Sequence, residues 1–161
     1  MTDFRALISL LAHAHVEFII VGGAAATAHG SARLTQDLDV VYRRTEENIS
    51  RLVQALAPYR PYLRGAPPDL PFQWDESTIS KGLNFTLATT VGMLDLLSEI
   101  TGGGRYDDLL PHSIQLHLYN VDCLCLGLER LIYVKRAAGR SKDLEAVAEL
   151  EAILEERKKQ D

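Results

Sequence analysis

Apolar residues recur at helical spacing near the start of the chain. Phe4, Leu7, Ile8, Leu10 and Leu11 form one stripe and predict an amphipathic helix over 4–13. Phe18 to Val21 is a short unbroken apolar run rich in β-branched residues, which predicts a buried strand stopped by Gly22-Gly23. Ala24 to Ala28 are small, alanine-rich positions that predict a short helix closed by Gly30. Leu38 to Tyr42 reads as a second strand. Ile49, Leu52, Val53 and Leu56 share one face of a helix over 46–56, with Thr45 placed to cap it. Five prolines between Pro58 and Pro71 predict a long loop, of a length often functional in compact domains. Strands over 84–90 and 92–97 meet at a tight turn, and Gly102 to Gly104 mark another break. A hairpin over 114–118 and 121–126 turns through Tyr119-Asn120. The chain then reads as a helix over 128–138, a break at Gly139, and a helix from a Ser141 cap to about 158.

Helices and strands in this order predict one α/β or α+β domain over 1–161, a mixed β-sheet flanked by helices. Its core spans about 16–126 and its two C-terminal helices 128–158. The apolar fraction of 47% excludes a disordered chain. A net charge of -5 gives no global attraction to nucleic acid, so no DNA partner is expected, and RNA would need a local basic patch. The one candidate patch is the Lys135 to Lys142 cluster, with Arg43, Arg44, Arg60 and Arg64 as extensions. No apolar run reaches membrane-spanning length, and the start of the chain lacks a basic region and a small-residue cleavage site. No membrane association and a cytoplasmic location are the expectations. Cys123 and Cys125 alternate onto one strand face and read as reduced core thiols.

The chemistry concentrates at Asp37 and Asp39. Strand alternation puts both carboxylates on one face, with Leu38 and Val40 on the other. Adjacent carboxylates repel, the more so when buried, unless solvated or bridged by a cation. Magnesium suits such an oxygen set. Asp95, inside the apolar stretch VGMLDLL, needs a partner or a role. Were its strand to lie beside 37–42, three carboxylates would converge and could hold two divalent ions about 3.5–4 Å apart. Gly22-Gly23 fits the same reading, since a backbone without side chains can approach a phosphate at a helix start.

Other residues divide between function and structure. Lys135 borders the apolar face of its helix and wants an anion there. Arg136 and Lys142 suit a solvated helix turn, where cations favour the C-terminal end. Arg33 is placed to clamp a phosphate or pair with an acidic neighbour, and Thr35 to bond a backbone amide in the turn. His29 reads as a helix-end residue and Trp74 as a loop anchor. The other histidines show no metal-ligand spacing.

The segment VGGAAATAHGSARLTQDLDVVY resembles the signature of the DNA polymerase β-like nucleotidyltransferase superfamily: apolar strand, paired small residues, spacer, then D-x-D. HGSARLTQDLD is similar to the corresponding element of toxin-type nucleotidyltransferases from abortive-infection systems. VGMLDLL resembles the strand bearing their third carboxylate, and LERLIYVKRAAGRSKDLEAVAEL their C-terminal K-x4-R-x-K-D element. The resemblance spans roughly Phe18 to Leu150, leaving the proline-rich loop without a counterpart. It implies transfer of a nucleoside monophosphate from a nucleoside triphosphate such as ATP, with release of pyrophosphate. Asp37, Asp39 and Asp95 would be catalytic and bind two Mg2+ or Mn2+ ions. Gly22, Gly23, Arg33, Thr35, Lys135 and Arg140 would contact the nucleotide's phosphates, or in the C-terminal element the acceptor. Lys142 and Asp143 would brace that element. The implied acceptor is tRNA or a partner protein, in a toxin–antitoxin pair with a cognate toxin or antitoxin. A small-molecule acceptor such as an antibiotic, or a non-catalytic binding partner in such a pair, are the alternatives.

Overall fold

The chain opens with helix α1 (Phe4–His13), strand β1 (Phe18–Val21), helix α2 (Gly22–Ala28), strand β2 (Asp37–Tyr42) and helix α3 (Glu46–Leu56) in the computed structural model, which describes residues 1–160. Strand β3 (Tyr62–Leu63), helix α4 (Glu76–Lys81) and strands β4 (Phe85–Thr89), β5 (Gly92–Leu97), β6 (Glu99–Ile100) and β7 (Gly104–Arg105) follow. Helix α5 (Tyr106–Leu109), strands β8 (Ser113–Leu118) and β9 (Val121–Leu126), and helices α6 (Leu128–Ala138) and α7 (Ser141–Gln160) complete it.

Seven strands form one mixed sheet in the order β3-β4-β5-β2-β1-β9-β8. β2 runs parallel to β5 and β1 parallel to β9; the other neighbours are antiparallel. Alternation sorts the central strands. Leu38 and Val40 on β2, and Leu94 and Leu96 on β5, are fully buried, while Asp37, Asp39 and Asp95 point to the other face. α7 packs along α6, and α6 lies against α2, so the C-terminal helix pair reaches the start of β2. Among the described residues no helix is long and apolar enough to cross a membrane.

Local chemistry fixes the element ends. The Thr45 hydroxyl accepts from Asn48 N at 3.2 Å and caps α3. Gly139 adopts φ +67 and donates to Lys135 O, closing α6 as the break required. Tyr119 and Asn120 carry φ +52 and +64, the paired left-handed conformation of a tight hairpin turn between β8 and β9. The Trp74 indole donates to Val53 O at 2.9 Å, anchoring the proline-rich segment. Cys123 and Cys125 are buried and unpaired; burial pushes the Cys125 thiol up to about 12, as suits an inert core residue.

Several boundaries depart from the sequence reading. α2 begins at Gly22 rather than Ala24, so the glycines form its first turn. Ser141 is the first helical residue of α7, not its cap; the Arg140 carbonyl accepts the first helical bonds. Asn84 lies outside β4 and bonds Ser98 N at 2.8 Å, while Thr90 N turns to Tyr59 O. The proline-rich segment is not wholly loop, since β3 pairs within it against β4. α4, α5, β6 and β7 went unread because each is too short to show a period.

Candidate active site

β2 and β5 lie side by side in parallel register, Asp37 opposite Met93 and Asp39 opposite Asp95. That register puts all three carboxylates on one face, where one oxygen from each lies within 4.8 Å of the others. The convergence expected from the sequence is therefore present. The surroundings are uneven. The side chains of Asp37 and Asp95 are 36% and 20% exposed, and Asp39 has a buried Oδ1 with no hydrogen-bond partner among the described residues. Burial, contact with the Asp95 carboxyl, and the charges of Asp95 and Asp37 push the Asp39 carboxyl up to about 7, against a smaller opposing pull from Lys135. A buried orphan oxygen beside two further carboxylates is a donor set of hard oxygens, which fits a divalent cation of the magnesium or manganese kind.

Both glycines are explained by close approach. Gly22 holds φ +63, and a Cβ there would collide with Asp39 Oδ2 and sit 3.1 Å from its Cγ. A Cβ on Gly23 would meet Thr35 Oγ1 at 2.6 Å. The Gly22-Gly23 turn thus packs directly on the Asp-x-Asp strand and the residue leading into it. Thr35 donates its hydroxyl to Asp37 O at 3.2 Å, so it holds the first carbonyl of β2 rather than the amide expected. Arg33 pairs with Glu145 of α7 at 3.5 Å, the structural of its two readings, and still borders the site.

The C-terminal helices bring the cations. Arg140 donates through Nε and Nη2 to the two oxygens of Asp143 at 2.6 and 3.2 Å. Asp143 is 4% exposed, and although burial opposes its ionisation, the Arg140 bond and charge hold its carboxyl below the usual range. Lys135 is half-buried. Burial disfavours its ammonium form and lowers its pKa, while the charges of Asp143 and Asp39 partly restore it. Lys142 is exposed.

Two cavities meet at this point. One, of about 290 Å³, collects Gly22, Gly23, Arg33, Thr35, Asp37 and Asp39, with Lys135, Arg140, Lys142 and Asp143 on the opposite wall. The other, of about 400 Å³, shares Gly22, Asp39, Lys135, Arg140 and Asp143 and is walled by Leu97, Ile100, Leu131 and Val134. Asp95 lines neither.

One neighbour of the three carboxylates carries no signal in the sequence. Arg64, expected at most to extend a basic patch, donates to Asp37 Oδ2 at 3.2 Å and to Asp95 Oδ1 at 2.9 Å. Its place in a proline-rich segment carried no signal; only the β3–β4 pairing puts it there. Arg43 and Arg44, two of the other three proposed extensions, are also engaged within the chain: Arg43 pairs with Glu17 and Asp107, and Arg44 bonds the Tyr42 hydroxyl and Ser80 O. His29 is structural, its ring Nε2 bonding Leu126 O at 2.8 Å, while burial holds it below its usual pKa.

Neither a family model nor a curated protein sequence matches the chain. Among solved structures it is similar to the lincosamide antibiotic adenylyltransferase LnuA, solved with lincomycin bound. The two superpose with a TM-score of 0.60 over 94% of this chain and 98% of that one, at 15% sequence identity. The likeness is one of fold: a mixed sheet flanked by helices, ending in a helix pair, which is the nucleotidyltransferase fold.

Proposed function

We propose that this chain transfers a nucleoside monophosphate from a nucleoside triphosphate to an acceptor hydroxyl and releases pyrophosphate. The observation that carries the reading is the meeting of Asp37, Asp39 and Asp95 beside a cavity whose far wall supplies Lys135 and Arg140. The three carboxylates would hold Mg2+ or Mn2+, and we infer two ions, since three carboxylates offer more oxygens than one ion needs from protein. When bound, the metal stabilises negative charge on the reacting phosphoryl group.

The chain's own residues divide the remaining work. Gly22 and Gly23 let backbone approach the triphosphate without side chains in the way. Lys135, Arg140 and Lys142, with Arg33 at the rim, neutralise its β and γ phosphates, and Asp143 holds the Arg140 fork in place. The acceptor oxygen bonds the α-phosphorus as the bond to the bridging oxygen breaks. Asp95, which stands outside the cation-lined cavity, takes the hydroxyl proton.

We infer a small-molecule acceptor. Arg43 and Arg44 are engaged within the chain away from the carboxylates, which removes two of the four extensions of an RNA-binding patch. The second cavity, of about 400 Å³, is partly apolar and adjoins Asp39, within the size range of small-molecule sites. The structurally similar LnuA acts on a lincosamide antibiotic. The Lys135 to Asp143 element keeps the other reading in view: a tRNA or partner-protein acceptor in a toxin–antitoxin pair.

The test is incubation with Mg2+ and each α-labelled nucleoside triphosphate against three acceptor sets: hydroxyl-bearing antibiotics, bulk tRNA, and lysate proteins. Label should pass to a small molecule with matching pyrophosphate release, and Asp39→Asn should stop it. Label on tRNA or protein would replace the acceptor assignment. Transfer surviving in both Asp37→Ala and Asp39→Ala would overturn the catalytic one. No transfer, with no Mg2+-induced rise in melting temperature, would leave a non-catalytic binding partner.

A further inference from the structure

The geometry points to Arg64 as a resident counter-ion of the carboxylate cluster, one that the divalent cation must displace; this rests on the metal reading given above. The guanidinium spans two strands' carboxylates. Nη1 donates to Asp37 Oδ2 at 3.2 Å, and Nη2 donates to Asp95 Oδ1 at 2.9 Å and to Leu87 O at 3.0 Å. Its side chain is 25% exposed, and its buried Nε has no hydrogen-bond partner among the described residues. A guanidinium leaving one donor unsatisfied in order to place two others on carboxylates is positioned by charge rather than by full hydrogen bonding.

Its mounting allows departure. Arg64 follows the two-residue edge strand β3 and is tied to the sheet by its own N–H, which donates to Thr86 O at 2.9 Å. Gly65 comes next with φ +76 and open space around the place of a Cβ, and Pro67 and Pro68 end the possibility of further pairing. The long side chain can swing out while the backbone stays paired.

Electrostatics supplies the reason to swing. Three acidic groups whose oxygens lie within 4.8 Å need positive charge to stay together. A guanidinium supplies one unit, and a divalent ion two. Both draw on the carboxylates of Asp37 and Asp95, and each repels the other at close range. Arg64 therefore keeps the cluster assembled without metal and weakens metal binding by the free energy of its own displacement. It is a positioning residue, acting through Asp37 and Asp95 on the order of binding rather than on the reacting atoms.

The test is Mn2+ binding by the purified full chain, with free Mn2+ followed by its paramagnetic resonance signal, in wild type, Arg64→Gln and Arg64→Lys. Arg64→Gln should bind Mn2+ roughly ten-fold tighter, because the competing charge is gone. Its metal-free melting temperature should lie below wild type, with the difference closing at saturating Mn2+. Arg64→Lys keeps the charge without the fork and should fall between the two. Were Arg64→Gln not to fold, tighter binding by Arg64→Lys than by wild type would carry the same test. Equal affinity in the folded chains, or weaker binding without Arg64, overturns the exchange while leaving the metal site standing. Absence of Mn2+ binding in every chain overturns both.

Discussion

Asp39 stands directly opposite Asp95 on the parallel β2–β5 ladder, although 56 positions separate them along the chain. The residues one step earlier, Leu38 and Leu94, pair on the buried face and are fully inaccessible. Side chains alternate with a period of two. A slip of one residue would turn Asp95 toward the core and Leu94 and Leu96 away from it, or Asp37 and Asp39 inward and Leu38 and Val40 outward. The core that fixes the register therefore also aligns the acidic groups, and the geometry of the carboxylate cluster follows from hydrophobic packing on the reverse of the same strands.

Replacing Asp39 by Asn separates chemistry from folding. The amide is nearly isosteric but removes the most crowded negative charge of the cluster. Metal-free stability should hold or rise, because repulsion among the carboxylates falls. Nucleotidyl transfer should drop by about three orders of magnitude or more, the scale on which electrostatic transition-state groups act. Urea unfolding in chelator and a pyrophosphate-release assay check the two halves. Loss of stability equal to the loss of activity would make Asp39 a structural residue.

The same residue sets a pH dependence. Its folded-state carboxyl titrates at about 7, above its ordinary value of 3.8. Between those pH values the folded chain binds more protons than the unfolded one, so this group's contribution to stability falls as pH rises through the window. Above about pH 7 the penalty is complete. Asp143 is shifted downward and gives a contribution lost only on acidification below its unfolded value, outside that window. His29, held neutral by burial, acts in the opposite direction near its ordinary 6.5. Unfolding free energies in chelator at pH 5 and pH 8, taken as the difference between wild type and Asp39→Asn, isolate the Asp39 effect. Wild type should lose stability relative to the variant at the higher pH. Mn2+ affinity should climb over the same interval, since the metal competes with the proton.

Much of this site was legible before any coordinates. Gly22-Gly23, Asp37 and Asp39 fall within one local stretch whose pattern is set by strand alternation and turn chemistry. Asp95 stood out because an acid inside an apolar strand is costly without a partner. Arg64 did not stand out, because its partners are chosen by a two-residue strand pairing at the sheet edge. Such a pairing leaves no period in the sequence. The short helix α4 was hidden for a related reason. Ile79 is its only buried residue, and it rests on an Asp75 cap, whose carboxylate accepts from Thr78 N at 2.8 Å. Thr35 donates to the Asp37 carbonyl rather than bonding an amide, because a hydroxyl can do either and the backbone path into β2 decides which partner is near.

Gly22 offers a test of close approach. An alanine there must accept φ +63 and must also displace the Asp39 carboxylate. Gly65 has a similar φ of +76 but open space around it. Gly65→Ala therefore reports backbone strain alone, about 1 kcal/mol. Gly22→Ala should cost clearly more, about 2–3 kcal/mol, and should also abolish transfer by moving Asp39. Chemical unfolding of both variants with activity measured alongside decides it. Equal losses of stability would show that the Asp39 contact carries no weight.

The C-terminal cations should govern nucleotide binding rather than fold. Lys135→Met removes a half-buried ammonium that pays for its own desolvation, so stability should change little. The loss should appear in nucleotide affinity, with KM for the triphosphate rising roughly ten-fold or more. Asp143→Ala acts one step back. It leaves Arg140, whose side chain is 62% exposed, free to swing into solvent instead of holding its fork at the cavity. Arg140 is not stranded in the interior, but half-buried Lys135 loses one of the two carboxylates that offset its burial, so the stability cost should be about 1–2 kcal/mol, while KM rises and kcat moves little. Steady-state kinetics with varied triphosphate at saturating Mg2+ distinguish these effects. A fall in kcat at unchanged KM in both variants would move Lys135 and Arg140 from the phosphate wall to the reacting bond, and an unchanged profile would remove the helix pair from the site.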